Sequence, residues 1–344
     1  MRSFLTFSED RKRMICEQAQ DKLGLPPATI EKDFWVCWTL KKLFDLSEWG
    51  EHLTFKGGTS LSKGWGLIER FSEDIDIVIN RDALGFGNDM APDRATSRKQ
   101  TQKRLDALKE ASQDCINKIL LPLLREAISL EMPPELPWQL YLSLDDPESQ
   151  TLLLTYPTAF ADQMAYLGQE VKIELGARSD TEPTQDVDIR PYLVDAFPDL
   201  FERSRFSVKA VSPERTFWEK AMLLHEETFR PPGKKRQARM ARHYYDLYRL
   251  IKTGIGQKAS GDLDLFARIA THRKIYFQHN WVDYNTLLPG SLRLVPPDDQ
   301  LPDWKSDYTA MREEMFFGKT PAFDDLIDTV REFQDVFNRK AGAK

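Results

Sequence analysis

FKGGTSLSKGWGLIERFSEDIDIVIN, residues 55–80, is the stretch that decides the fold of this 344-residue chain. It begins with an extended segment that runs into the pair Gly57-Gly58, and it ends with the run DIDIVI, which alternates acidic and apolar residues before becoming wholly apolar. Side chains two positions apart on a strand point to the same face of the sheet. Asp74 and Asp76 are therefore expected to project together, while the isoleucines beside them face the buried side.

This pair of acids next to a glycine turn predicts a nucleotide site. Two neighbouring carboxylates repel each other, and a shared proton or a divalent cation relieves the repulsion. Glycines in a turn before a helix let backbone N–H groups approach a phosphate, and the turn Gly57, Gly58, Thr59, Ser60 has that composition, with Lys63 one turn further on. The spacing matches neither the P-loop nor the Rossmann glycine motif. We expect phosphates on the turn and Mg²⁺ held by the acids. The alternative is an acid pair on a solvated edge strand.

A third carboxylate lies on a later apolar strand. Residues 171–175 read VKIEL, in which Glu174 points to the same face as Lys172. A glutamate placed there is able to ligate a metal ion and to orient or deprotonate an attacking hydroxyl. The competing interpretation is an exposed strand acid that pairs with Lys172 or Arg178.

The composition bounds the class of protein. Apolar residues make up 41% of the chain and charged residues 30%, as in an ordinary soluble globular protein long enough for two domains. The net charge of −6 means that any surface for nucleic acid is local. Cys16, Cys37 and Cys115 are too scattered to indicate a zinc site or a disulfide framework. Without a signal peptide or an apolar run of membrane length, we expect a cytoplasmic protein with no membrane partner.

Secondary-structure signals divide the chain into two parts. Two helices are predicted before the central stretch and three strands after it, and the chain is mainly helical from Ser212 onward. The helices are predicted from Ser8 to Gly24 and over residues 28–46, and the strands over residues 140–144, 152–156 and 170–175. Between Gly57 and Asp74 the apolar spacing predicts a short helix that extends to Ile68. The fold class is therefore α/β (α+β), with a mixed sheet flanked by helices in residues 1–210 and a helical part in residues 211–344.

The densest positive run of the chain lies in the helical part. Such a run attracts phosphate backbones without reading sequence, and tyrosines beside it are able to stack on exposed bases. The members of the run are Arg230, Lys234, Lys235, Arg236, Arg239, Arg242 and His243, and the tyrosines are Tyr244, Tyr245 and Tyr248. The alternative is an ordinary solvated loop and helix face.

These motifs together resemble a known family. The pattern GGTSL…RFSEDIDI, followed by a strand acid, is similar to the nucleotidyltransferase superfamily that includes DNA polymerase β, and most of the chain resembles the AbiEii/AbiGii toxins, which include the MenT-type toxins. The segments IEKDFWVCWTLKKLF, VKIELGARS, PERTFWEKAMLLHEE and RHYYDLYRL add to the likeness. The segment RHYYDLYRL departs from the family pattern, since Arg249 stands where the family has an aspartate.

The resemblance implies roles for particular residues. The glycine turn matches the family's nucleotide-phosphate turn, and Asp74 and Asp76 match its metal-binding pair, to which Glu174 adds a third carboxylate. Ser72 matches a serine two positions before the first of these acids. In the helical part, Lys220 matches a lysine taken to contact the nucleotide, and Asp246 matches a family acid. Without the family, Lys220 reads as a surface lysine and Asp246 as a half-buried helix acid.

The resemblance also implies an activity. Residues 1–210 would be the nucleotidyltransferase domain, and residues 211–344 would complete the cleft for nucleotide and RNA. The implied function is Mg²⁺- or Mn²⁺-dependent transfer of NMP from an NTP to RNA, notably the 3′ end of tRNA. The chain would then be the toxin of a toxin–antitoxin or phage-defence system that blocks translation, with Lys234, Lys235, Arg236, Arg239 and Arg242 on the RNA and a protein or RNA antitoxin as partner. The alternatives are a small-molecule or protein acceptor, and a non-catalytic protein that binds nucleotide or RNA.

Overall fold

A computed structural model describes residues 1–161, 168–316 and 320–341 of the chain. The chain separates into two compact units. The first comprises Met1–Gly64 and Ser72–Ala210, and the second comprises Trp65–Phe71 and Val211–Lys344. A seven-residue piece of the central stretch thus belongs to the second unit.

The first unit is built on a mixed sheet that has seven strands within the described residues, in the order β3-β4-β5-β2-β1-β7-β6. Strands β1 and β2 are antiparallel, whereas β2 and β5 are parallel, so the strand with the acid pair lies between the glycine-turn strand and the Glu174 strand. The strands are β1 Leu53–Lys56, β2 Ile75–Ile79, β3 Gln139–Leu142, β4 Thr151–Thr155, β5 Glu170–Gly176, β6 Thr184–Ile189 and β7 Phe206–Val211. The predicted fold class is confirmed. Strands β6 and β7 were not predicted, because the acidic TQDVDI segment and the short FSVKAV segment lack a long apolar run.

Helices cover the sheet of the first unit. Helix α2 begins after Ser8, whose hydroxyl accepts from the Arg11 backbone N–H, and it ends at Gly24, which has a left-handed φ of 68°. Helix α3 is buried on nearly all sides, with Trp35 and Trp38 fully inside the core, and is therefore a central helix rather than a surface one. The helices are α1 Arg2–Leu5, α2 Glu9–Leu23, α3 Pro27–Phe44, α4 Gly57–Thr59, α5 Arg98–Cys115, α6 Leu121–Ser129, α7 Tyr192–Ala196 and α8 Pro198–Phe201, with π-helical turns over Ser60–Gly64 and Ile116–Leu120.

The predicted helix that extends to Ile68 is wrong in its second half. The helical turns after β1 end at Gly64, where an added Cβ would meet Val187 Cγ2 at 2.7 Å. Beyond Gly64 the chain leaves the first unit, and Ile68 is buried in the second.

The second unit is helical, as predicted. Ser212 caps α9 by accepting from the Arg215 backbone N–H, and Pro213 takes the first helical position. An aromatic cluster around Trp218 and Phe333 forms its core. The helices are α9 Pro213–Glu227, α10 Arg242–Lys252, α11 Ile255–Gly261, α12 Leu263–Tyr276, α13 Leu301–Met315 and α14 Phe323–Ala341. No helix among the described residues is both long and apolar enough to cross a membrane.

Candidate active site

Gly57 brings the backbone of the glycine turn against Asp76 on strand β2. Its φ is +81°, and a Cβ added there would stand 1.9 Å from Oδ2 of Asp76. Both the left-handed backbone and this contact require glycine. The first glycine of the pair is therefore fixed by the carboxylate that it touches, and Gly58, half-buried, follows it in the helical turn.

The hydroxyls of the turn are used inside the fold. Thr59 is fully buried, lies 2.9 Å from Ser72 Oγ and donates to the backbone carbonyl of Asp74. Ser60, also fully buried, donates to the Gly57 carbonyl at 3.0 Å. Thr59 and Ser72 thus hold the chain in place just before β2 and so position Asp74.

Asp76 and Glu174 face each other across two parallel strands. They are register partners on β2 and β5, and the charge of Glu174 acts directly on the Asp76 carboxyl group. Burial, followed by the charges of Glu174 and Asp74, raises the pKa of Asp76 to about 7 against the opposing charge of Lys56. The site therefore contains negative charge that the protein itself does not fully neutralise.

Lys172 is the cation that pairs with Glu174. Both side chains of this ion pair are more than two-fifths exposed. Burial alone would lower the pKa of the Lys172 ammonium, but Glu174, Asp74 and Asp76 raise it. The pairing of Glu174 with Lys172, the competing interpretation from the sequence, is thus present together with the contact to Asp76.

The donor set suits a hard divalent cation. Among the described residues, no three or more His, Cys, Asp or Glu side chains are arranged as a ready-made metal cage. The carboxylates of Asp76 and Glu174 nevertheless adjoin each other, and a cation bound by them would relieve their repulsion. Mg²⁺ and Mn²⁺ accept oxygen ligands of this type, and Mg²⁺ commonly takes one or two carboxylates together with water and phosphate oxygens. These residues therefore fit a bound divalent metal.

Lys63, predicted to bind phosphate, has a partner inside the first unit. Its ammonium lies 2.7 Å from Asp33 Oδ1 and 3.7 Å from the centre of the Tyr192 ring, with its side chain 6% exposed. The Asp33 carboxylate also accepts from the Tyr192 backbone N–H. Lys63 fixes the π-helical turn to α3 and α7, and we do not include it among the proposed phosphate ligands.

Lys220 and Asp246 meet in the second unit. The Lys220 ammonium lies 2.9 Å from Asp246 Oδ2, and both side chains are buried, so neither the surface-lysine nor the half-buried interpretation holds. Burial, then Arg70 and Arg242, lower the pKa of Lys220, while Asp246 opposes this. Burial alone would raise the pKa of Asp246, but Arg70 and Lys220 hold it well below its usual range.

Arg70 completes this cluster and was missed in the sequence. Its guanidinium donates to both carboxylate oxygens of Asp246, at 2.8 and 2.9 Å, and its side chain is 3% exposed. Arg70 stands in the family pattern RFSEDIDI, but its role gives no sequence signal, because its partner lies 176 residues away in the chain. That role becomes visible only through the tertiary contact.

The predicted RNA-binding cations differ in their surroundings. Lys234 and Lys235 are exposed. Arg236 is largely buried: it pairs with Glu227 at 3.2 Å and lies 3.9 Å from the centre of the Trp304 ring. Arg239 and Arg242 are half-buried, and the charge of Arg242 acts on Lys220.

The tyrosines after the basic run are part of the core. Tyr244 is fully buried and donates to the Leu294 carbonyl at 2.8 Å, and Tyr245 is 3% exposed. The expectation that these two rings stack on bases is wrong, because helix α10 turns them toward the interior. Tyr248 is half-buried.

Comparisons with known proteins bear on this site. Residues 38–337 match the family described as nucleotidyl transferase AbiEii toxin, type IV TA system. A comparison with curated proteins finds no match. Seven chains of solved structures match. Among them is MenT4, a nucleotidyltransferase toxin from Mycobacterium tuberculosis H37Rv, which is 14% identical over 95% of this chain and 98% of that chain, with a TM-score of 0.41.

Proposed function

The chain belongs to the AbiEii family of nucleotidyltransferase toxins of type IV toxin–antitoxin systems, and on that premise we propose that it transfers NMP from an NTP to the 3′ end of an RNA, with tRNA as the acceptor. The observation that carries the proposal is the Asp76–Glu174 pair, which lies side by side on two neighbouring strands with Gly57 against Asp76. The proposed metal-holding acids are Asp74, Asp76 and Glu174. The reaction also requires Lys220 and Asp246.

The chemistry asked of these residues is an in-line displacement. The acceptor hydroxyl attacks the α-phosphorus of the NTP, a new P–O bond forms, the bond to the bridging oxygen breaks, and pyrophosphate leaves. Bound at the acids, a divalent cation supplies charge neutralisation for the phosphates. Glu174 orients the acceptor hydroxyl or accepts its proton. Gly57 leaves room for the Asp76 carboxylate beside the turn.

The first test is transfer of label from NTP to RNA. Each of the four NTPs, labelled at the α-phosphate, is incubated with the protein, total tRNA and Mg²⁺ or Mn²⁺. We expect labelled tRNA with the wild type, none after chelation with EDTA, and none with Asp74→Ala/Asp76→Ala. The matched control is Asp186→Ala/Asp188→Ala, which removes two exposed acids from strand β6 of the same sheet and should transfer normally.

The outcomes separate the competing functions. Label on the protein itself or on a small molecule, with none on RNA, would show that the acceptor is the labelled molecule and not RNA. Undiminished transfer by the double aspartate variant would remove the acids from the mechanism. Absence of Mg²⁺-dependent NTP binding in calorimetry would favour a non-catalytic protein.

The toxin effect is tested in translation. A cell-free translation reaction preincubated with the wild type and the accepted NTP should lose activity, and addition of fresh tRNA should restore it. If fresh tRNA alone restores translation, then modified tRNA is the cause of the block. A block that fresh tRNA does not relieve would place the target elsewhere.

A further inference from the structure

The buried cluster of the second unit contains two residues that the proposed reaction does not use, Arg70 and His243. Asp246 is fully buried and is held by two cations, Arg70 through both oxygens and Lys220 through Oδ2. Beside Lys220, at 3.5 Å from its ammonium, lies Nδ1 of His243, whose pKa is lowered well below its ordinary value by burial and by Lys220. The imidazole is therefore neutral and is able to accept from the lysine.

Arg70 is itself held rigidly. Its backbone forms an isolated antiparallel bridge with Phe316, and the next residue, Phe71, donates its N–H to the Met315 carbonyl at 2.9 Å. The guanidinium also donates to the Phe71 carbonyl at 3.3 Å. A fixed backbone and a planar, two-pronged donor leave the carboxylate of Asp246 a single orientation.

The orientation of Asp246 decides where the Lys220 ammonium lies. A carboxylate that pairs with lysine alone is free to turn about its last side-chain bond, and the flexible lysine follows it. With both oxygens bound by Arg70, Oδ2 is fixed, and so is the ammonium that donates to it. The ammonium has three N–H donors, and among the described contacts Asp246 and His243 take two of them.

We propose that Arg70 is a positioning residue of this enzyme: it locks Asp246, and through Asp246 it fixes the Lys220 ammonium that the proposed reaction requires. The proposal rests on the proposed function, since that function assigns Lys220 to the reaction. Arg70 does not touch the substrate. Its contribution is the fixed position of the Lys220 ammonium.

Two variants separate the charge of Arg70 from its geometry. Arg70→Lys keeps the charge but loses the paired hydrogen bonds, and Arg70→Gln loses both. The matched control is Arg249→Gln, because Arg249 forms a two-pronged ion pair with Glu69, at 3.1 and 2.7 Å, between the same segment and helix α10. Glu69 is 68% exposed, so the control removes a neighbouring but solvated pair. Unfolding temperatures establish that each variant is folded.

The first measurement is the steady-state rate of NMP transfer. In Arg70→Lys we expect the turnover number to fall by about a hundredfold, since a displacement of about 1 Å costs about that much in an oriented reaction. KM for the NTP should rise as well, and Arg249→Gln should remain within about twofold of the wild type. Wild-type turnover and KM in a folded Arg70→Lys protein would overturn the proposal.

The second measurement follows Lys220 directly and needs no activity. Protein labelled with carbon-13 at lysine Cε is titrated by NMR, and the Lys220 signal is assigned with Lys220→Arg. The charges that act on this ammonium are Arg70 and Arg242, which lower its pKa, and Asp246, which raises it, with His243 neutral beside it. Removal of the Arg70 charge in Arg70→Gln should therefore move the titration to higher pH, whereas Arg70→Lys and Arg249→Gln should leave it near that of the wild type.

The two measurements also separate the two proposals. If the wild type transfers no nucleotide but Lys220 titrates at higher pH in Arg70→Gln, then the proposed function fails and the link from Arg70 to Lys220 stands. If transfer occurs and the Lys220 titration is unchanged in Arg70→Gln, then the positioning role is wrong. If Arg70→Gln does not fold, Arg70→Lys decides through its rate.

Discussion

At the scale of single residues, Asp76 combines the most evidence. It lies on β2 opposite Lys56 on one side and Glu174 on the other, touches Gly57, and has a pKa raised to about 7. Part of this site was evident in the sequence, because alternation alone places Asp74 and Asp76 on one face of a strand. Glu174 was also predicted as a third carboxylate of the site, but its register opposite Asp76 was not, since the register of two distant strands depends on the assembled sheet.

The raised pKa of Asp76 predicts a pH dependence of stability. A carboxyl with a folded pKa above its ordinary value of 3.8 binds its proton more tightly in the folded state. The contribution of Asp76 to the free energy of unfolding is therefore greatest below about pH 4. It declines as the pH rises toward 7 and is constant above that. Between pH 4 and pH 8 the free energy of unfolding of the wild type should fall by an amount on the order of 2 kcal/mol because of this group, since one pKa unit corresponds to about 1.4 kcal/mol and solvent screens part of it. Asp76→Asn should not show this fall.

Urea unfolding of both proteins across this pH range measures the effect. Asp188→Asn, which changes an exposed acid on β6, should retain the wild-type dependence. Addition of Mg²⁺ should stabilise the wild type more at pH 8 than at pH 5 and should have little effect on Asp76→Asn. Equal pH profiles for the wild type and Asp76→Asn would contradict this account.

Gly57→Ala should abolish transfer while the protein remains folded. The added Cβ would overlap the Asp76 carboxylate, at 1.9 Å from Oδ2, and displace it. We expect a loss of activity of about a hundredfold or more, since small displacements at a reacting centre have costs of that order. Gly24→Ala is the matched control, because Gly24 also has a left-handed φ, +68°, but an added Cβ there meets no atom within 4 Å.

Both glycine variants should lose stability from backbone strain, about 1 kcal/mol each. Only Gly57→Ala should lose nucleotide transfer. Equal activities of the two variants would show that the contact with Asp76 is not needed.

At the scale of elements, the π-helical turn Ser60–Gly64 connects the glycine turn to the core. Its anchor is the buried pair of Lys63 with Asp33 on helix α3, which also holds the start of α7 through the Tyr192 N–H. The composition of the turn was readable as a phosphate loop, and Lys63 appeared to belong to it. The burial of Lys63 reverses that assignment, because a lysine that is 6% exposed and paired with an aspartate acts as a tether.

Lys63→Met should destabilise the first unit strongly. It leaves the Asp33 carboxylate buried without its cation, at a cost of about 3–5 kcal/mol. The matched control is Lys41→Met on helix α3, which also carries Asp33. The exposed pair of Lys41 with Asp45 contributes at most about 1 kcal/mol. Chemical unfolding curves compare the two, and equal losses would show that Lys63 does not act as a tether.

At the scale of the whole molecule, positive charge is concentrated in one run of the chain, but only some of its cations are exposed to solvent. The chain has a net charge of −6, yet the run after Arg230 is basic. Arg230 and Arg236 are engaged with Glu227, while Lys234 and Lys235 are exposed. RNA affinity in the proposed function would therefore depend chiefly on the two lysines.

Lys234→Gln/Lys235→Gln should weaken tRNA binding and lower its salt dependence. Each phosphate contact contributes about one to the slope of log K against log salt, so the slope should fall by up to about two. Lys252→Gln/Lys258→Gln removes the same charge from exposed positions elsewhere in the second unit and should bind normally. Filter binding at several salt concentrations measures both, and an unchanged slope in the first variant would contradict the assignment.

The family, the fold class and the three acids Asp74, Asp76 and Glu174 were predictable from the sequence, because they depend on local alternation, glycine placement and the family resemblance. The particular contacts between charged side chains were not. Folding sets Asp76 in register with Glu174, pairs Lys63 with Asp33, and brings Arg70 to Asp246. The physical reason is that an ion pair depends on distance in space, and these partners are separated by 30 to 176 residues of chain.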